Sequence, residues 1–210
     1  MAPSPVDNDL WFRRFHPSPV APRRLVCFPH AGGSAAFYRP LSASLSPQVD
    51  VLCLRYPGGR DRRSEPGVES VGVLADEIYE VLGGWADTPL TFFGHGVGAL
   101  LAFEVARRFE RVCAEPVHLF ASGSRAPYEV RGESYRCEPG ASVYCPVTAL
   151  VGDSDPGTSP DEARAWEEHT TGAFDLKVLP GGHLYPDRWP AEVMAVLQDH
   201  FAADLVPRRV

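Results

Sequence analysis

Six short apolar, β-prone runs recur along the chain, at residues 25–28, 49–54, 90–93, 117–121, 147–151 and 174–179. Between them lie segments whose apolar residues return every three or four positions, at 35–45, 71–82, 98–109, 161–169 and 191–201. Parallel strands are buried on both faces and need long crossovers, so this alternation predicts an α/β fold: a mostly parallel central sheet flanked by helices on both faces. Residues 11–15 add a possible edge strand. Ser159 ahead of Pro160, Asp161 and Glu162 has the form of a helix start, with a cap, a first-turn proline and early acids.

The 210 residues are enough for one sizeable core, and 44% hydrophobic with 22% charged residues describes a chain that folds on its own. A single domain is expected over 23–206, preceded by a Pro-rich arm over 1–22. Twenty basic against 27 acidic side chains give a formal charge of −7, which argues against a general grip on nucleic acid. The N-terminus lacks a charged start followed by an apolar run, and a cytoplasmic protein with no membrane segment is expected. Cys27, Cys53, Cys113, Cys137 and Cys145 are scattered without a CxxC pair, which suggests small buried hydrophobes; no metal site or organic cofactor is implied.

The chemistry is carried by Gly94-His95-Gly96-Val97-Gly98, set between a strand and an apolar helix beginning at Ala99. Strand, sharp turn and helix is the setting of the G-x-S-x-G nucleophile elbow, where the central residue occupies a strained backbone conformation. Here that residue is Gly96, which adopts the conformation freely but brings no nucleophile. The other parts of a hydrolytic triad follow in order. Gly152-Asp153-Ser154-Asp155-Pro156 comes after the run ending at 151, and Gly181-Gly182-His183 after the run ending at 179. Both loops leave strand carboxyl ends, where open α/β sheets collect their catalytic groups. Asp155, with Asp153 second, is the expected acid that orients His183. The glycine-rich loop Phe28-Pro29-His30-Ala31-Gly32-Gly33 can supply backbone N–H groups, that of Ala31 with that of Val97, to an oxyanion hole. It lacks the lysine of a nucleotide-triphosphate loop and the spacing of a dinucleotide fingerprint.

With these residues in place, the chain resembles the discrete, or type II, thioesterases of modular polyketide and nonribosomal peptide synthases, members of the α/β-hydrolase superfamily. The resemblance rests on residues 25–33, on Tyr56-Pro57-Gly58 with its Arg-rich loop, on 93–99, and on Ser122-Gly123-Ser124-Arg125-Ala126-Pro127. It continues through Cys145-Pro146-Val147, 152–156 and 181–183. It implies acyl substrates tethered to the phosphopantetheine arm of acyl or peptidyl carrier proteins. It also implies a serine where Gly96 stands and a helical lid between the strands near 121 and 147, where only a short irregular link remains here.

His30, His95 and Tyr56 are candidate substrate contacts, His95 having an inward, structural role as its other reading. Arg60, Arg62 and Arg63 are candidates for docking an acidic carrier. His16, His118, His169 and His200 have no partner legible in the sequence, and Ser122 or Ser124 would have to serve as any relocated nucleophile. Losing the serine of a complete triad costs about 10^6 in turnover, so ordinary acyl-enzyme hydrolysis is not expected. Three readings stay open. One is a His183–Asp155 base catalysing cyclisation, elimination or direct hydrolysis without a covalent intermediate. The others are an inactive pseudo-thioesterase that binds carrier or acyl chain, and an engineered Ser-to-Gly form of an ordinary type II thioesterase.

Overall fold

In the computed structural model, which describes residues 9–68, 70–114, 116–129, 138–183, 189 and 191–203, the apolar runs form one seven-stranded sheet. The strands are β1 (Phe12–Arg13), β2 (Arg23–Phe28), β3 (Val49–Leu54), β4 (Leu90–His95), β5 (His118–Ser122), β6 (Val147–Gly152) and β7 (Phe174–Leu179). Their order is β1-β3-β2-β4-β5-β6-β7, and every pairing is parallel except that of β1 with β3.

Successive side chains of a strand point to opposite faces, and both faces here are buried. Val26, Phe28 and Phe92 join a core with α2 (Val71–Leu82) and α3 (Val97–Glu110). Leu25, Cys27 and Phe93 join a second core with α1 (Arg39–Leu45) and α5 (Ala191–Ala203). The expected helix over 35–45 is divided into a 3-10 turn, Ala35–Tyr38, and α1. Pro40 in the first turn of α1 has no N–H to continue the preceding turn, so a new helix starts there. The segment over 161–169 divides likewise into α4 (Pro160–Arg164) and a 3-10 turn, Ala165–His169. Three residues per turn put Trp166 and His169 on one side, and both rings pack edge-on against Phe103. Ser159 and Glu162 form a reciprocal capping box at the start of α4.

From residue 9 onward the N-terminal segment is held down. Trp11 and Phe12 lie in the core, and Arg14 makes a two-oxygen ion pair with the buried Asp50. Between β5 and β6, the link expected to lack the lid, the described residues contain a 3-10 turn, Pro127–Glu129, and no α-helix; residues 130–137 of this link, Cys137 among them, lie outside the description. Cys27, Cys53 and Cys145 are buried, but Cys113 is exposed, because it closes the turn after α3 with φ 55°. Among the described residues no helix is long and apolar enough to cross a membrane.

The chain leaves β2 on one side to form β3 and returns on the other to form β4. The carboxyl ends of β2 and β4 therefore flank the point where strand order reverses, and a crevice opens there.

Candidate active site

Gly96 sits one residue beyond β4, at φ 55° and ψ −125°, and caps α3. Side chains rarely adopt this backbone conformation. Its N–H donates to Ser122 O at 2.9 Å and its carbonyl accepts from Ala99 N–H at 3.0 Å, so the turn is fixed by backbone alone. A Cβ built on Gly96 would meet only His30 Cβ, at 3.7 Å, an ordinary contact. The space for a side chain is therefore present. The following Gly98 is required for another reason: its Cβ would come within 2.1 Å of Phe28 O, where α3 crosses the end of β2.

The loops after β6 and β7 bring together the residues expected as acid and base. His183 Nδ1 lies 2.8 Å from Asp155 Oδ2, and the Asp155 side chain is fully buried while that of His183 is 42% exposed. Asp155 Oδ1 accepts from Gly157 N–H and Thr158 N–H, which pins the carboxylate. Asp153, the second choice for the acid, instead accepts from Gly181 N–H at 3.0 Å and braces the loop that carries His183.

Beyond His183 the chain of contacts continues in a way the sequence did not announce. His183 Nε2 lies 3.0 Å from His95 Nε2, and His95 Nδ1 lies 3.2 Å from Ser122 Oγ. His95, expected among the substrate contacts, is 1% exposed and cannot line an open surface. Its inward orientation follows from its place at the end of β4, paired in register with Ser122 of β5. Burial, and then the neighbouring His183 and His30, push the His95 imidazole down to about 3, against a hydrogen bond to the Ser122 backbone that favours the charged form. His95 is therefore neutral at ordinary pH. Burial and then His183 lower His30 as well, and its ring stands edge to face with His95 and with Phe37.

A cavity of about 210 Å³ opens beside Gly96, lined by His30, Ala31, Tyr56, Val97, Leu74 and Leu101 among others. It gathers the two residues expected to form an oxyanion hole and two of the expected substrate contacts. Val97 opens α3, and first-turn N–H groups have no carbonyl one turn back to bond. Tyr56 donates its hydroxyl to Pro29 O at 3.2 Å, and burial followed by Cys27 raises it well above the usual phenol range. Asp61 ties the loop to its neighbour: its carboxylate accepts from Ser34 Oγ and from Ala35 N–H, both at 2.7 Å. Among the described residues no cluster of three or more His, Cys, Asp or Glu side chains is arranged to hold a metal ion.

The docking cluster is reduced. Arg60 and Arg63 are exposed, but Arg62 is 7% exposed, lies over the Trp11 ring, and bonds Glu65 and Arg55 O. An inward cation neutralised by its own loop cannot meet a partner. Ser122 is fully buried against His95, and Ser124 donates to Arg125 O, so neither presents a relocated nucleophile. The remaining histidines have structural partners: Ser42 for His16, Thr148 for His118, Ala141 O for His169, and the His118 ring for His200.

Residues 23–143 match the family model of the thioesterase domain. The chain is similar to the thioesterase PikA5 of Streptomyces venezuelae, with 38% identity over 247 residues, covering 94% of this chain and 88% of the relative. Those aligned positions outnumber the 210 residues here, so the relative carries residues with no counterpart in this chain. It is also similar to a probable cadicidin biosynthesis thioesterase of Streptomyces griseus, 39% identical over 221 residues. That match covers 83% of this chain and 61% of the relative, less than two thirds of the relative's length. Among solved structures, the type II thioesterase BorB of the borrelidin biosynthetic cluster shares 38% identity and a TM-score of 0.86, covering 92% of this chain and 97% of that one.

Proposed function

Since the chain belongs to the thioesterase domain family, among the thioesterases of polyketide and nonribosomal peptide biosynthesis, we propose that it acts on an acyl intermediate of such a pathway without a serine nucleophile. The intermediate is carrier-bound or already released. His183, oriented by Asp155, serves as general base. The observation that carries this reading is the 2.8 Å contact of His183 Nδ1 with the fully buried Asp155 carboxylate, beside a Gly96 that keeps the elbow conformation. Gly96 stands where the family has serine, and the described link between β5 and β6 has no helical lid, which is in keeping with residues of PikA5 that have no counterpart here.

The Asp155 carboxylate accepts the Nδ1–H of His183 and leaves Nε2 as the basic atom. Nε2 takes the proton of a water or substrate hydroxyl, or of an acidic carbon, while the Ala31 and Val97 N–H groups stabilise the oxyanion that forms. Direct hydrolysis, cyclisation and elimination share this first step. A base so placed contributes about 10^2 to 10^4 in rate. A site with no helical lid among the described residues suits a bulky or phosphopantetheine-tethered acyl chain, and no metal or further cofactor is needed for the step. Arg60 and Arg63 are the exposed cations left to meet an acidic carrier. One observation favours a second reading, a pseudo-thioesterase that binds carrier or acyl chain: His183 Nε2 is already engaged by His95.

Mass-spectrometric turnover of acyl thioesters, on a carrier protein and on free pantetheine, separates the two. Conversion by the parent chain that disappears in His183→Ala supports the base, and the product mass separates hydrolysis from cyclisation or elimination. Conversion only after Gly96→Ser would mean a dormant thioesterase scaffold.

A further inference from the structure

A serine hydroxyl in a complete triad holds the catalytic imidazole in register as well as attacking. Gly96 offers no hydroxyl, yet His183 Nε2 has a partner in His95 Nε2, 3.0 Å away. Two ring nitrogens approach that closely with one proton between them. The other nitrogen of His95 faces Ser122 Oγ at 3.2 Å, and a hydroxyl can donate or accept. The Ser122 backbone also accepts a hydrogen bond from His95, which keeps the proton on Nδ1 and leaves Nε2 to accept from a protonated His183. Among the described residues, the titratable groups facing the pair are Asp155, on Nδ1 of His183, and His30, edge to face with His95 at a ring separation of 5.7 Å.

We propose that His95 is a positioning residue that stands in for the absent hydroxyl, holding His183 Nε2 beside Gly96 once the base has taken its proton. The proposal rests on the His183–Asp155 base described above. A substrate O–H displaces His95 from Nε2. The O–H bond breaks, the electron pair stays on oxygen for attack or elimination, and the proton forms a new N–H bond on His183. His95, which keeps its own proton on Nδ1 throughout, accepts from that N–H at Nε2, so the imidazolium is held by Asp155 at one nitrogen and His95 at the other. A hydrogen bond to a charged group outweighs one between neutral groups, so His95 favours the protonated base.

The test compares the parent chain with His95→Leu and His95→Gln on one thioester that the parent converts. His95→Leu is expected to lower kcat about 10- to 100-fold with KM changed less than about twofold. Its acid limb should move to lower pH by up to about one unit. His95→Gln should recover most of kcat, since a carboxamide both donates and accepts. In the parent held below its acid limb, nitrogen-15 spectra should show coupling across the two Nε2 atoms, and its absence overturns the proposal even if a variant fails to fold. Unchanged kcat and acid limb in His95→Leu overturn it alone, leaving the His183 base intact. A parent that converts nothing overturns the proposed function and this role with it, while the Nε2 coupling persists.

Discussion

A methyl group on Gly123 would lie 2.5 Å from His95 Cε1 and 3.1 Å from His183 Cε1. The backbone there has φ 52° and is anchored by a 2.8 Å bond from its N–H to Leu150 O, so it cannot yield easily. Glycine at this position is what lets the two imidazoles meet. Gly123→Ala should cost about 1–3 kcal/mol from the strained conformation and should also separate the rings. Urea unfolding would read the first effect and loss of the Nε2 coupling the second. A variant as stable as the parent, with the coupling intact, would show that the loop relaxes without cost. Gly96 differs in that its side-chain space is open. Glycine at 96 meets a backbone requirement with side-chain room to spare, whereas glycine at 123 also leaves room for its neighbours.

The site is assembled by loops that brace one another rather than by any one element. Ser34 Oγ donates to Asp61 and accepts from Ala36 N–H, so a single carboxylate fixes both the end of the glycine-rich loop and the start of the following turn. Arg62, bonded to Arg55 O and Glu65 beneath Trp11, stiffens the loop that carries Asp61. Asp61→Ala removes the acceptor for Ser34 Oγ and Ala35 N–H, and should cost about 1–3 kcal/mol. Amide hydrogen exchange at Ala35 should quicken, while Asp61→Asn, which keeps one carbonyl oxygen, should fall between. Equal protection of Ala35 in all three proteins would mean that the loop holds itself. The strands of this scaffold were legible because a parallel strand buried on both faces reads as an unbroken apolar run. The braces were not, since nothing in the spacing of Asp61 and Ser34 says that they touch.

Acid should destabilise the whole molecule through its buried imidazoles. His95 is held near 3 in the folded chain, against about 6.5 when unfolded. The unfolded state therefore binds the proton first. This contribution is present in full above about pH 6.5 and drains as pH falls toward 3, at up to about 1.4 kcal/mol per unit for one proton. His30, also lowered, adds in the same direction. Urea midpoints followed from pH 7 to pH 4 should fall less steeply for His95→Leu than for the parent. Parallel curves would mean that His95 is protonated in the folded state as readily as outside it.

The sequence alone settled the alternation of strand and helix and the conformation that Gly96 permits, and it set Gly96, Asp155 and His183 in the order expected of elbow, acid and base. These are local properties, set by apolar period and by which residues tolerate a left-handed backbone. Tertiary structure alone decided that Asp153 braces the loop at Gly181, that Arg62 turns inward, and that His95 faces His183 across a separation of 88 residues. The reason is that a buried polar side chain takes whichever partner the closed interior brings within reach, and chain separation carries no record of that distance.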